Sequence, residues 1–199
     1  MLVTSATLRD AEAGEPAAEW AAAEARVGAS HLPSPAIRVT VASPFDYGAQ
    51  TRAFVVTDVN ARDLTALAGA YRALFLATGG GGLGLFTAIA RLRAVHARIA
   101  PALRMVVFER VPWLRPDILH RERRVHLSDG DPAGYDDRIV RLRLRQAFRR
   151  LIRNATDRGV FLLLDRQTPS RLLTAFPPGV VVERVGLAQA VAETRAFLE

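Results

Sequence analysis

Apolar and polar positions change their period several times along the chain. In residues 62–77, Leu64, Leu67, Ala68, Tyr71, Leu74 and Phe75 recur at steps of three and four, which predicts an amphipathic helix with Asn60 as its cap. Residues 53–57 and 105–108 read as short strands, and residues 83–87 as a buried strand that leads into a helix over 88–100. That helix carries Ile89, Leu92, Val95 and Ile99 as its apolar stripe, with Arg91, Arg93, His96 and Arg98 on a solvated face and Pro101 as its stop. The most ordered stretch is 141–166. Leu144, Phe148, Leu151 and Ile152 follow the i, i+4, i+7, i+8 spacing of a buried stripe, and Gln146, Arg150 and Arg153 line the opposite side with Arg149 beside them. Residues 154–159 close this helix, with Gly159 as a left-handed stop, and 159–165 read as a strand buried on both faces. Upstream, an alanine- and glutamate-rich helix over 17–27 ends at Gly28. Pro33 and Pro35 then make a linker, and the alternation over 37–41 predicts a strand. Downstream, 180–185 is the last strand and 186–198 a helix that packs through Leu187, Val191 and Phe197. Strands alternating with helices give an α/β class with a layered, mostly parallel sheet.

Composition narrows the chemistry. The formal net charge is +7, and all 27 basic residues are arginine. Such a balance suits polyanionic partners, nucleic acid or nucleotide, although an arginine bias of genome composition gives the same excess. With no cysteine, disulfides, thiolate zinc sites and cysteine nucleophiles are excluded, as expected for a cytoplasmic protein. No apolar run is long enough for a membrane span, so no membrane partner is expected. The absence of lysine excludes a Walker A loop, because that loop needs its lysine on the phosphates. Gly79 to Gly82 is therefore no phosphate loop, and it precedes its strand instead of following one, which also disfavours a dinucleotide site. His120, His126, Asp129 and Asp131 lack metal-ligand spacing, so the expected metal set is none.

Gln146-Ala147-Phe148-Arg149-Arg150-Leu151-Ile152-Arg153 resembles helicase motif VI, Q-x-x-G-R-x-x-R, in the form used by DinG/XPD-type (Rad3-like) DNA helicases, with Arg149 at the glycine position. Asp157-Arg158-Gly159 and Leu164-Asp165-Arg166 look like its continuation. Ser5-Ala6-Thr7 resembles motif III, Ser43-Pro44-Phe45-Asp46-Tyr47 the start of the second motor domain, and Leu85-Phe86-Thr87 the strand whose threonine meets the DNA backbone. Glu109-Arg110-Val111-Pro112-Trp113 resembles the element where the chain leaves the sheet. A motif V run is missing at 102–104, where the family has a further strand-helix-strand portion.

The resemblance implies a RecA-like (P-loop NTPase-like) second helicase domain over 43–199, preceded over 1–42 by a motif III segment and linker from the first motor domain. It implies ATP as cofactor, with magnesium held by motifs outside this chain, and single-stranded or forked DNA as partner. Arg150 and Arg153 would stabilise charge on the γ-phosphate and Gln146 would orient water or phosphate. Thr87, Ser5 and Thr7 would contact nucleic acid. The activity implied is an ATP-dependent DNA helicase that is inactive without a first motor domain; the alternative is a non-catalytic basic nucleic-acid-binding remnant. Two residues keep two readings each. Thr87 is a phosphate contact or a plain helix cap, and Trp113 is a base platform or a packing residue.

Overall fold

The computed structural model describes residues 2–3, 5, 8, 16–79, 82–96, 105–114, 117–128, 130–152 and 155–199. Ala6, Thr7, the His96 side chain, Pro101, the motif V junction at 102–104, Asp129, Arg153 and Asn154 lie outside the described residues. Two compact units divide the chain, Met1–Pro44 and Phe45–Glu199.

In the first unit, helix α1 (Pro16–Val27) ends at Gly28, whose φ of 75° is the left-handed stop that glycine adopts without a Cβ clash. Arg38 grips Glu24 with a two-pronged pair, Nε to Oε1 at 2.7 Å and Nη2 to Oε2 at 2.9 Å, which holds the Glu24 carboxyl below its usual range. The strand expected over 37–41 does not form. Ile37, Val39 and Val41 alternate as a strand would, but all three are exposed and the segment joins no ladder. Alternation makes a strand only where a neighbour supplies hydrogen bonds and a face to bury.

The second unit is built on five parallel strands in the order β2-β3-β4-β1-β5: β1 (Thr51–Val56), β2 (Leu83–Leu85), β3 (Met105–Phe108), β4 (Gly159–Leu163) and β5 (Val182–Val185). β4 and β1 are central, paired from Thr51↔Gly159 to Val55↔Leu163. Side chains alternate between two cores, as the pleat requires. On one face Phe54, Val56, Val160, Leu162 and Leu164 pack with Leu67, Tyr71 and Leu74 of α3 (Leu64–Ala77), Val95 of α4 (Ile89–His96) and Phe197 of α7 (Leu187–Leu198). On the other, Ala53, Val55, Phe161 and Leu163 pack with Val140, Leu144 and Phe148 of α6 (Pro132–Phe148) and with Leu172 of a short 3-10 helix (Ser170–Ala175). Helices on both faces of a parallel sheet make a three-layer α/β domain of RecA-like architecture. Every residue of β4 is buried, in keeping with its unbroken apolar run. No helix among the described residues is long and apolar enough to cross a membrane.

Four local expectations are corrected. α3 is capped by Asp63, whose Oδ1 accepts from Thr65 N (2.8 Å) and Ala66 N (3.2 Å), while Asn60 serves the preceding turn through Arg62 N. Asp63 wins because it adjoins the first helical turn and its carboxylate reaches two free donors. In α4 the stripe is not buried as a whole: Val95 is in the core, but Ile89 and Leu92 are exposed, and Arg91 turns inward. The helix that carries Gln146 ends at Phe148, so Arg150 stands in a tight turn, with Arg150 N on Ala147 O (3.1 Å) and Leu151 N on Phe148 O (3.0 Å). Gly159 is not a left-handed stop but the first residue of β4; an added Cβ would meet Leu151 Cβ at 3.0 Å, so close packing is what needs glycine there.

Candidate nucleic-acid interface

The candidate residues gather at opposite ends of the sheet. At the amino end, α2 (Tyr47–Gln50) sits under the start of β1, capped by Asp46 Oδ1 on Ala49 N at 3.0 Å. The Tyr47 ring meets Phe148 edge-on at 5.8 Å, and Phe148 in turn packs on Phe161 and Phe176. Gln50 Nε2 donates to both Ala155 O and Asp157 O at 3.1 Å, which ties α2 to the loop after motif VI. α2 and the end of α6 with the loop after it, far apart in sequence, are thus joined in space.

Gln146 and Arg150 are both exposed at this end, and no carboxylate among the described residues pairs with Arg150. Arg153 lies outside the described residues. Arg149 is half-buried; burial pulls its guanidinium below the usual arginine range, the nearby Tyr47 opposes this, and Arg145 adds to it. Arg143 and Arg145, on the same helix, are anchored to backbone: Arg143 Nη1 donates to Pro112 O (3.0 Å) and Arg145 Nε to Ala175 O (3.3 Å). Of the candidates in the first unit, Ser5 is exposed and Thr7 is outside the described residues.

At the carboxyl end, where open parallel sheets form their ligand crevices, a cleft of about 630 Å³ opens beyond β2 and β3. Its walls come from five segments. Phe86 and Thr87 follow β2, Phe108 ends β3, Pro112 and Trp113 lie on the departing chain, and α5 (Ile118–Leu127) and α6 contribute His120, Arg123, Tyr135 and Arg143. Thr87 is exposed at the rim. Trp113, 42% exposed, is neither buried packing nor free surface: it forms a wall of the cleft. The backbone sets its position. Trp113 N bonds Val111 O at 2.8 Å, a tight turn centred on Pro112 with its fixed φ, and Asp165 Oδ2 accepts from Val111 N at 3.3 Å.

Behind the cleft wall, Glu109 directly follows β3 and is fully buried. Its carboxylate pairs with the Arg91 guanidinium and lies 3.8 Å from Arg110 Nε. Burial raises the carboxyl above its ordinary range, and Arg91, then Arg110, oppose the rise. The same burial, with Glu109 beside it, pushes the Tyr71 phenol well up, while its hydroxyl donates to Val107 O at 3.3 Å.

Sequence reasoning reached Thr87 and Trp113 but missed Arg123, Arg143, Phe86 and Tyr135 as walls of one cleft, and missed the Arg91–Glu109 pair. A carboxylate placed right after a strand was an available signal for the pair; Arg123, in a run of charges, gave none. Among the described residues no cluster of histidine or carboxylate is arranged to hold a metal ion. No protein-family model matches the chain, and no curated protein matches it.

Proposed function

We propose that this chain is the second motor half of a DinG/XPD-like ATP-dependent DNA helicase, which grips single-stranded or forked DNA and lends arginines to ATP held by a first motor half. The observation that carries the reading is the separation of two faces on one parallel sheet. An aromatic and cationic cleft with Thr87 lies at the carboxyl end, and the exposed Gln146 and Arg150 lie at the amino end beside the S-P-F-D-Y helix. A translocating motor needs such a division, because the strand and the nucleotide must be held at once and moved relative to each other. Arg150, with Arg153, supplies a fork of donors that stays charged and stabilises the transferring phosphoryl group. Gln146 orients the attacking water or the phosphate. With no lysine in the chain, the Walker A phosphate grip and the magnesium come from the other half.

The test is complementation. The purified chain is mixed with a first motor half of a DinG/XPD-type helicase that carries its own Walker motifs, and ATP turnover is followed with and without single-stranded DNA. DNA-stimulated hydrolysis is expected to appear, and Arg150→Ala to lower it by about 10³-fold or more while leaving DNA binding by the isolated chain intact. Unchanged turnover in Arg150→Ala would remove the arginine from the chemistry.

A second reading, a basic nucleic-acid-binding module without catalysis, is favoured by one observation: the half-buried Arg149 side chain stands where the family has glycine and a close approach to nucleotide. Salt-steep DNA binding that ignores ATP, with no turnover on complementation, belongs to this reading.

A further inference from the structure

The geometry points to a subsite in the carboxyl-end cleft for one unpaired nucleotide of a single strand, its base against Trp113 and its phosphate on Arg123 and Arg143. This deepens the single-strand-binding reading and rests on it. The cleft volume, about 630 Å³, falls within the span of small-molecule sites and suits one base with its sugar and phosphate. Its aromatic wall is fixed before any ligand arrives. The turn at Pro112 sets the Trp113 backbone, Arg143 holds Pro112 O, and Asp165 holds Val111 N, so the backbone that carries the indole needs little ordering on stacking.

Charge chooses the occupant. Arg123 is exposed on the cleft wall, and no carboxylate among the described residues pairs with it. Arg143 keeps further guanidinium donors beyond the one it gives to Pro112 O. His120 also lines the cleft, with its Nε2 3.2 Å from Asp136 Oδ1. Among the described lining residues the one carboxylate, Asp117, is already engaged as the cap of α5, accepting from His120 N at 2.6 Å. An apolar peptide would leave these cations unused, whereas a nucleotide satisfies both an aromatic face and a phosphate clamp. A duplex is disfavoured because its bases are stacked and paired; only a splayed base can enter a concavity walled by one indole.

The experiment uses the full chain with Trp20→Phe as background, since Trp20 and Trp113 are its two tryptophans. A labelled oligothymidylate is titrated by anisotropy, and the remaining indole emission is followed in parallel. Binding is expected to quench Trp113. Trp113→Ala is expected to weaken binding about tenfold with the salt slope kept, and Trp113→Phe to retain most of the affinity. Arg123→Ala is expected to weaken binding and reduce the slope of log K against log salt by about one. Oligonucleotide binding with unquenched Trp113 emission and unchanged affinity in Trp113→Ala overturns the subsite but leaves the single-strand reading standing. No binding even at low salt overturns both. Thymidine monophosphate binding as tightly as the oligonucleotide overturns the strand as occupant.

Discussion

Glu109 is the residue at which burial and charge conflict most directly. A carboxylate in a closed interior loses its hydration, and the Arg91 contact offsets only part of that loss, so the folded chain prefers Glu109 protonated more than the unfolded chain does. The sign for stability follows. Between the ordinary glutamate value, about 4.3, and the raised value in the fold, the folded state binds more protons than the unfolded one, and stability falls as pH rises. Above that window the contribution is flat. Melting temperatures across pH for the wild type and Glu109→Gln isolate the effect, since other carboxylates cancel in the difference. The wild-type advantage is expected to shrink as pH rises through the window; a difference independent of pH would sink the assignment. Arg91→Ala removes the opposing attraction and is expected to move the fall to higher pH. Gly159 makes a different residue-scale case, because Leu151 already lies where a side chain would go. Gly159→Ala is expected to cost about 1–3 kcal/mol by overpacking, read from denaturant midpoints.

At the level of elements, what the sequence made legible was what local periodicity controls. β3 appears over the residues its apolar run marked, the stripe of Leu144 and Phe148 is buried as its spacing required, and Gly28 ends α1. Two of the failures, the segment 37–41 and the stripe of α4, have one physical root: a pattern states which residues seek burial, not whether a neighbour is there to bury them. Ile37, Val39 and Val41 found no strand, and in α4 Val95 joins the core with α3 while Ile89 stays in solvent. The cleft was illegible for a related reason. Thr87, Trp113, Arg123 and Arg143 belong to separate segments, and only the strand order, with β2 and β3 side by side at one edge, brings them to one wall. Contacts between elements also govern the motif VI edge. Gln50 ties α2 to residues 155 and 157 by two side-chain hydrogen bonds. Gln50→Ala is therefore expected to cost about 1–2 kcal/mol in urea denaturation, at about 1 kcal/mol net for each bond. Amide exchange should quicken across residues 155–158 while the β1 and β4 ladder stays protected. Equal loosening of the whole sheet would show that Gln50 is a core residue and not a local clamp.

For the molecule as a whole, the central question is whether the two ends of the sheet act as separate sites. Gln146 and Arg150 precede β4 at the amino end, Thr87 and Trp113 follow β2 and β3 at the carboxyl end, and the core strands lie between. Sites so separated are expected to combine additively in free energy. In the isolated chain, Arg150→Ala should thus leave single-strand affinity unchanged beyond the small effect of one lost charge, and the double variant Arg150→Ala/Trp113→Ala should bind as weakly as Trp113→Ala alone. The net charge of +7 supplies a background attraction to any polyanion, so the comparison is made across a salt series, where that background fades and stacking does not. On the helicase reading proposed above, additivity is expected to fail with a first motor half and ATP present, because hydrolysis would then couple the two ends through rigid movement of the sheet. Additivity in both conditions would mean that the second half binds DNA without transmitting anything to the nucleotide. Non-additivity already in the isolated chain would mean that the two ends share one DNA surface, and the division of labour proposed for the sheet would have to be abandoned.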